Sequence, residues 1–316
     1  MNLNKLKKLT GDASFRNFYR GKKNIIVHCK KNKKSNLLEY DAINKILIKK
    51  NIIAPKLISQ NYKNNYIEIE DFGDLTVFKK FQKKSINKKI YYKKILDLLI
   101  KIKNIKAKYQ KTFLKTNYKV PDYSLKKLLD ESNLFLDWYL PKYVKREKNR
   151  ILNVKFNKIF KKLLNNIYYK NKVFVHRDFH ISNIMITKKG LGLIDSQDAV
   201  YGNIAYDLAS LIDDVRFKTD KKIKNFIFNE FIKKNKHLDP KKFKNDFEIL
   251  SVLRNLKIIG IFTRLSVRDK KNKYLKLIPH AWELIEYRTL NNPIFKDLNY
   301  ILTKNFDRKI RKFYEN

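Results

Sequence analysis

The run His176-Arg177-Asp178-Phe179-His180-Ile181-Ser182-Asn183, with Leu193-Ile194-Asp195 after it, holds the residue types that phosphoryl transfer uses. That reaction needs a carboxylate to orient and deprotonate the attacking hydroxyl, and oxygen ligands that hold Mg²⁺ against nucleotide phosphates. Asp178 is placed as the catalytic base. Asn183 follows it by five residues on a tight loop, and Asp195 follows Asn183 by twelve, at the end of an apolar strand. A strand that returns to the loop brings the base, an amide ligand and a carboxylate ligand to one point. In this reading His176 and His180 fix the loop by hydrogen bonds, Arg177 pairs with a nearby carboxylate, and Asp207 caps or anchors the loop. The rival reading is a zinc hydrolase, because His176, Asp178 and His180 alternate and offer two imidazoles and a carboxylate. It leaves Asn183, Asp195 and the Tyr206-Asp207 pair without a role, and the remaining histidines are His28, His237 and His280.

The elements that must position these groups are legible as patterns. Val173–Val175 and Leu191–Ile194 read as short strands flanking the polar stretch. Upstream, Phe15–Tyr19, Asn24–Cys29 and Tyr66–Glu70 read as strands, with a helical pattern at Leu37–Lys50 between them. After Asp74 apolar residues recur at helical spacing, as at Tyr91, Ile95, Leu98, Leu99 and Ile102. Asp239-Pro240 is a helix start, with Asp as N-cap and Pro in the first turn. The expected fold is α+β and bilobal. Residues 1–74 form a small antiparallel-sheet lobe ending in a hinge near Glu70–Leu75, and 75–316 a mainly helical lobe that carries the catalytic loop.

The chain has 316 residues, enough for two sizeable cores. Its formal charge is +43, and 61 of its 73 basic residues are lysines scattered along the whole length. Lys, Asn, Ile, Tyr and Phe are favoured together by A/T-rich codons, so the charge is read as compositional drift on solvated faces, and no specific nucleic-acid partner is expected. The single cysteine, Cys29, rules out an internal disulfide framework and suits a reducing compartment. No stretch reads as a signal peptide or a membrane span, so the expected location is the cytoplasm. Oligomeric state has no signature.

The order and spacing of Asp178, Asn183 and Asp195 resemble the catalytic loop and metal aspartate of protein kinases, and more closely those of the aminoglycoside phosphotransferase and choline kinase group. Tyr206-Asp207-Leu208-Ala209 follows Asp195 by only eleven residues, leaving no room for a protein kinase's activation segment. Asp71-Phe72-Gly73 spells the kinase metal motif but precedes the catalytic loop, so Glu70, Asp71 and Phe72 are assigned to the hinge beside the adenine. By position, Leu9–Arg16 is the phosphate-covering loop, with Gly11 and the backbone amides of Asp12, Ala13 and Ser14 forming an anion nest. The resemblance implies a lysine after the third strand paired with a helix glutamate; Lys30 and Glu39 are assigned. It also implies ATP and Mg²⁺ as cofactors.

The likeness narrows at Thr10–Arg20, Glu70–Asp74, Asp195–Gly202 and Arg254–Leu265. Together these are similar to the anomeric N-acetylmuramate/N-acetylglucosamine kinases of bacterial cell-wall recycling, although His28-Cys29-Lys30-Lys31 departs from that family's acidic, proline-rich stretch. The resemblance implies phosphorylation of the C1 hydroxyl of an amino sugar. The alternatives are a phosphotransferase for another small alcohol, such as an aminoglycoside or choline, and an idle nucleotide-binding module. Arg254, Lys257 and Arg264 share one helix face. They form either a snorkelling basic stripe or, at Arg254 and Lys257, a site for the muramate carboxylate.

Overall fold

The computed structural model describes residues 6–9, 16–83, 86–290 and 292–312. The chain forms two compact units, Met1–Asp122 with Lys172–Gly202, and Tyr123–Asn171 with Asn203–Asn316.

In the first unit β1 (Lys7–Leu9), β2 (Asn17–Arg20), β3 (Asn24–His28), β4 (Leu57–Asn61) and β5 (Tyr66–Glu70) form an antiparallel sheet of order β1-β2-β3-β5-β4. The β-branched run of β3 pairs on both sides, as a buried central strand does. Side chains alternate across the sheet, so Ile25, Val27 and Cys29 share one face with Ile67 and Ile69 of β5. That face packs on Leu37 and Tyr40 of α1 (Asn36–Lys49). β1 and β4 carry no apolar alternation; they are edge strands, and three of the five β4 residues are exposed. The sequence pattern therefore missed them.

Beyond the sheet, α2 (Val77–Phe81) and α3 (Lys88–Lys103) precede a hairpin of β6 (Tyr109–Lys111) and β7 (Asn117–Lys119). α3 buries Tyr92, Ile95, Leu96, Leu99 and Ile102 and packs beside β8 (Lys172–Val175). β9 (Ile184–Thr187) and β10 (Gly190–Leu193) form a second antiparallel hairpin, and β11 (Val200–Asn203) pairs with β8. Two segments clamp the β9–β10 hairpin. Ile186 N–H donates to Leu75 O at 2.8 Å, and Leu193 N–H donates to Ile53 O at 2.8 Å.

The second unit is helical: α4 (Leu125–Ser132), α5 (Leu140–Tyr143), α6 (Arg146–Asn165), α7 (Tyr206–Ile212), α8 (Lys221–Lys233), α9 (Pro240–Asp269), α10 (Ile278–Thr289), α11 (Lys296–Asn305) and α12 (Arg308–Lys312). Asp239 caps α9 as the sequence predicts, its carboxylate accepting from Lys242 N–H at 2.9 Å. Consecutive residues 246–256 of α9 are all buried, which marks a central helix enclosed by its neighbours. Gly260 makes one of those approaches possible: a Cβ there would lie 2.3 Å from the Leu134 carbonyl, at the start of the π-helical turn Phe135–Tyr139. Phe135, Tyr139, Trp282 and Phe306 pack edge-on or tilted around that turn. Among the described residues no helix is long and apolar enough to cross a membrane.

Candidate active site

β8 leads directly into the catalytic run. His176 is buried, its ring edge-on to Phe179 at 6.3 Å. Arg177 has φ +74° and Asp195 φ +61°, left-handed conformations that are uncommon for residues other than glycine and that gather where a site over-determines its backbone. The bonds that do so are local. His180 N–H donates to Asp178 O at 3.0 Å, and Asn183 N–H donates to His180 O at 2.9 Å. The Asn183 Nδ2 amide donates to Asp178 O at 3.0 Å and lies 3.4 Å from His180 Nε2.

Strand register brings Asn183 close to Asp195. Ile184 pairs with Leu193, and Ile194 N–H donates to Asn183 O at 3.1 Å, so the ends of the β9–β10 hairpin set Asn183 opposite Ile194, the residue before Asp195. Their amide and carboxylate oxygens suit Mg²⁺ better than zinc. Among the described residues no group of three His, Cys, Asp or Glu side chains gathers as a metal set, so His176, Asp178 and His180 do not form the zinc site of the rival reading.

Asp195 is held from the sheet side. Arg16 Nη2 lies 2.9 Å from Asp195 Oδ1, Arg16 Nη1 donates to Asn36 Oδ1 at 3.0 Å, and Asn36 Nδ2 donates to Glu39 Oε2 at 2.6 Å. The next residue is tied to the same helix: Ser196 Oγ donates to Asn44 Oδ1 at 2.6 Å, and Asn44 Nδ2 donates to Pro55 O at 2.9 Å. Arg177 Nη1 donates to the Asp198 carbonyl at 3.3 Å. Burial pushes the Glu39 carboxyl up, and the hydrogen bond from Asn36 opposes it. Burial likewise raises the Tyr118 phenol, with the Glu39 and Asp198 charges adding to the rise. Cys29 is pushed up to about 11 by burial, with the Arg16 charge pulling down and Glu39 pushing up. Lys30 is exposed, one residue before the 3₁₀ turn Lys31–Lys33; the helix partner shown for Glu39 is Asn36. Arg16, Asn36 and Asn44 were not among the residues the sequence singled out as a site.

Arg20 of β2 clamps the turn after β5. Its Nε lies 2.7 Å from Asp71 Oδ2 and its Nη1 2.8 Å from Asp74 Oδ2, while Gly73 N–H donates to Asp71 Oδ1 at 2.7 Å. Glu70 N–H donates to Lys56 O at 2.9 Å. Gly73 takes φ +78°, a conformation that favours glycine. Phe72 rests on β10: a Cβ on Gly192 would stand 3.0 Å from the Phe72 ring and 3.1 Å from Ile53 Cγ2. Gly11, Asp12, Ala13 and Ser14 lie outside the described residues.

In the second unit, Asp207 is buried in the first turn of α7. Arg254, Lys257 and Arg264 are buried or half-buried, so their shared face is no solvated stripe. Lys257 Nζ lies 2.6 Å from Glu131 Oε2 and donates to Tyr206 Oη at 3.3 Å. Tyr123 Oη also donates to Glu131. Arg254 differs. It is 5 % exposed, and its Nη1 is enclosed without a hydrogen-bond partner among the described residues.

The architecture is that of the bilobal protein-kinase-like small-molecule kinases. A choline/ethanolamine kinase family protein from Mesorhizobium loti superposes with a TM-score of 0.61, at 11 % identity, over 95 % of this chain and 92 % of that one. An ADP-bound aminoglycoside phosphotransferase superposes at 0.58, with 16 % identity, over 90 % of this chain and 93 % of that one. The chain belongs to the phosphotransferase enzyme family, whose model matches residues 5–226, and it is a small-molecule kinase. Among curated proteins, the N-acetylmuramate/N-acetylglucosamine kinase of Pseudomonas aeruginosa is 25 % identical over 303 residues, covering 93 % of this chain and 86 % of that protein. The kinase of the same name from Neisseria meningitidis is 35 % identical over 166 residues, 51 % of this chain and 50 % of that protein.

Proposed function

We propose that this chain transfers the γ-phosphoryl group of ATP to the anomeric C1 hydroxyl of N-acetylmuramate or N-acetylglucosamine, in the cytoplasm, as a step of cell-wall recycling. The observation that supports the chemistry is the β9–β10 register, which sets Asn183 opposite Ile194, the residue before Asp195, while the Asn183 amide also donates to the Asp178 carbonyl. The amino-sugar reading draws on the names of the relatives that align along nearly the whole chain.

Asp178 orients the C1 hydroxyl and takes its proton as the bond to phosphorus forms. Asn183 and Asp195 hold Mg²⁺, which when bound offsets the phosphate charge. Residues 1–74 act as the nucleotide lobe, with Glu70, Asp71 and Phe72 beside the adenine and Gly11, Asp12, Ala13 and Ser14 over the phosphates; a cation near Glu39, with Lys30 as the sequence candidate, completes this side. Residues 75–316 act as the acceptor lobe. Arg254 and Lys257 serve the sugar side there, and the enclosed Arg254 guanidinium is the natural partner of the muramate carboxylate, because a buried charge without one is costly. His176 and Asp207 support the loop.

ADP release measured across N-acetylmuramate, N-acetylglucosamine, aminoglycosides and choline tests the reading, with ³¹P NMR on the product. Turnover on the amino sugars giving an anomeric phosphate is expected; turnover on another alcohol alone refutes it. Arg254→Ala is expected to raise KM for N-acetylmuramate by about 30-fold or more, as truncating one partner of a buried charge pair does. KM for N-acetylglucosamine, which lacks the carboxylate, should change little. Equal effects on the two sugars would remove Arg254 from carboxylate recognition.

A further inference from the structure

We infer that Arg16 is the positioning residue that presets Asp195 for its metal, supplying from the position just before β2 the cation that the sequence sought at Lys30. The inference rests on the reading of Asp195 as a metal ligand and deepens it. Strand parity is the starting point. On β3, Ile25, Val27 and Cys29 face α1, so the position nearest the helix at the strand's end holds a thiol, and Lys30 beyond it is exposed. On β2, Asn17 pairs with His28, which puts Arg16 opposite Cys29. Cross-strand neighbours share a face, so Arg16 is aimed at α1.

Its contacts use what a guanidinium has and an ammonium lacks, a rigid planar fork that fixes two acceptors at once. One arm takes Asp195 Oδ1 at 2.9 Å, and the other takes Asn36 Oδ1 at 3.0 Å, whose amide passes the connection to Glu39 at 2.6 Å. The Arg16 side chain is 4 % exposed and that of Asp195 33 %, so the arginine is the buried member and the carboxylate the one open to a ligand. A carboxylate accepts about four hydrogen bonds or metal contacts. Arg16 on Oδ1 therefore fixes the rotamer. Asp195 holds φ +61°, and an anchor on its side chain restrains a backbone that would otherwise relax.

The test measures ADP binding by calorimetry on the full chain, with and without Mg²⁺, for the wild type, Arg16→Lys, Asn36→Ala and Asp195→Asn. The lysine variant keeps the charge and loses the fork. It is expected to raise the Mg²⁺ concentration that half-maximally strengthens ADP binding by about 10–100-fold, the usual consequence of losing an outer partner of a metal ligand, while metal-free ADP affinity stays at the wild-type value. Asn36→Ala should shift the Mg²⁺ requirement in the same direction by a smaller factor, and it carries the test by itself if Arg16→Lys does not fold. An unchanged Mg²⁺ requirement overturns the proposal. So does a parallel fall in metal-free and metal-dependent affinity, which would make Arg16 a packing residue or a direct phosphate contact. A wild type indifferent to Mg²⁺, or an Asp195→Asn variant with the wild-type requirement, overturns the metal assignment itself and the proposal with it.

Discussion

Two carboxylates gripped by arginine, Asp213 and Asp195, are built for opposite ends. Asp213, in the helical unit, is wholly enclosed and accepts four hydrogen bonds: Lys224 Nζ at 2.6 Å and Arg288 Nη2 at 3.0 Å on one oxygen, Arg288 Nε at 2.7 Å and Ser251 Oγ at 2.6 Å on the other. Every lone-pair direction of the carboxylate is used. Phe247 and Tyr287 flank the Arg288 guanidinium at 4.6 and 4.7 Å, which seals the cluster. Asp195 has the same kind of partner but sits at a left-handed backbone position and stays a third open. Saturation makes a carboxylate structural; an open side and a strained backbone leave it available. The same residue pair therefore carries no functional meaning until its remaining lone pairs are accounted for.

Three substitutions or conditions sharpen that contrast. If Asp195 is the proposed metal ligand, Asp195→Asn is expected to lower turnover on the order of 10²–10³-fold, with a smaller loss of stability than Asp213→Asn because Asp195 is partly exposed and Arg16 keeps its bond to Asn36. Loss of fold instead of activity would erase the distinction. Asp213→Asn should do the reverse. Removing the carboxylate from Lys224 and Arg288 leaves buried charges without compensation and costs about 3–5 kcal/mol, with kcat per folded molecule retained; chemical denaturation checks it. The smallest effect is in acid. Burial alone would raise the Asp213 carboxyl, but the Arg288 and Lys224 charges and their hydrogen bonds overcome it and hold it below the usual carboxylate range. In the unfolded chain an Asp titrates near pH ~3.9. Below that value the unfolded state binds a proton that the folded state refuses, so stability falls as pH drops, by at most about 1.4 kcal/mol per pH unit. The contribution is complete above the unfolded value. Asp213→Asn should therefore flatten the acid limb of the stability curve, and an unchanged limb would mean that other carboxylates set it.

What the sequence could disclose follows from distance along the chain. Asp178, Asn183 and Asp195 lie within one short stretch, so a local apolar pattern carried the strand Leu191–Ile194 that returns to the loop, but its hairpin partner Ile184–Thr187 was read as part of the polar stretch. The strands Asn24–His28 and Tyr66–Glu70 and the cap at Asp239 were readable for the same reason. Arg16 and Asp195 are 179 residues apart, and a single arginine at the edge of a strand has no periodic signature. Only the β2–β3 register reveals that it faces α1. Lys30 illustrates the converse: counting along β3 finds a cation at about the right place, but the parity that buries Cys29 leaves Lys30 in solvent. The three cations of α9 were correctly placed on one face, yet their burial depended on helices packed around α9, which no one-helix pattern contains. The edge strands β1 and β4 lacked an apolar rhythm because edges do not need one.

The discontinuity of the first unit has a consequence for how the protein is made. Met1–Asp122 contains the sheet, but the hairpin whose backbone N–H groups donate to the Ile53 and Leu75 carbonyls, and on which Phe72 rests, arrives only with Lys172–Gly202. The roughly 80 residues from Asp122 to Gly202 take about 4–16 s to translate at 5–20 residues per second. For that interval the nascent chain carries a nearly finished sheet with no floor. Pausing or chaperone capture before Gly202 emerges falls on a half-built first unit, whereas a pause after it falls on helices that still have their own core to assemble.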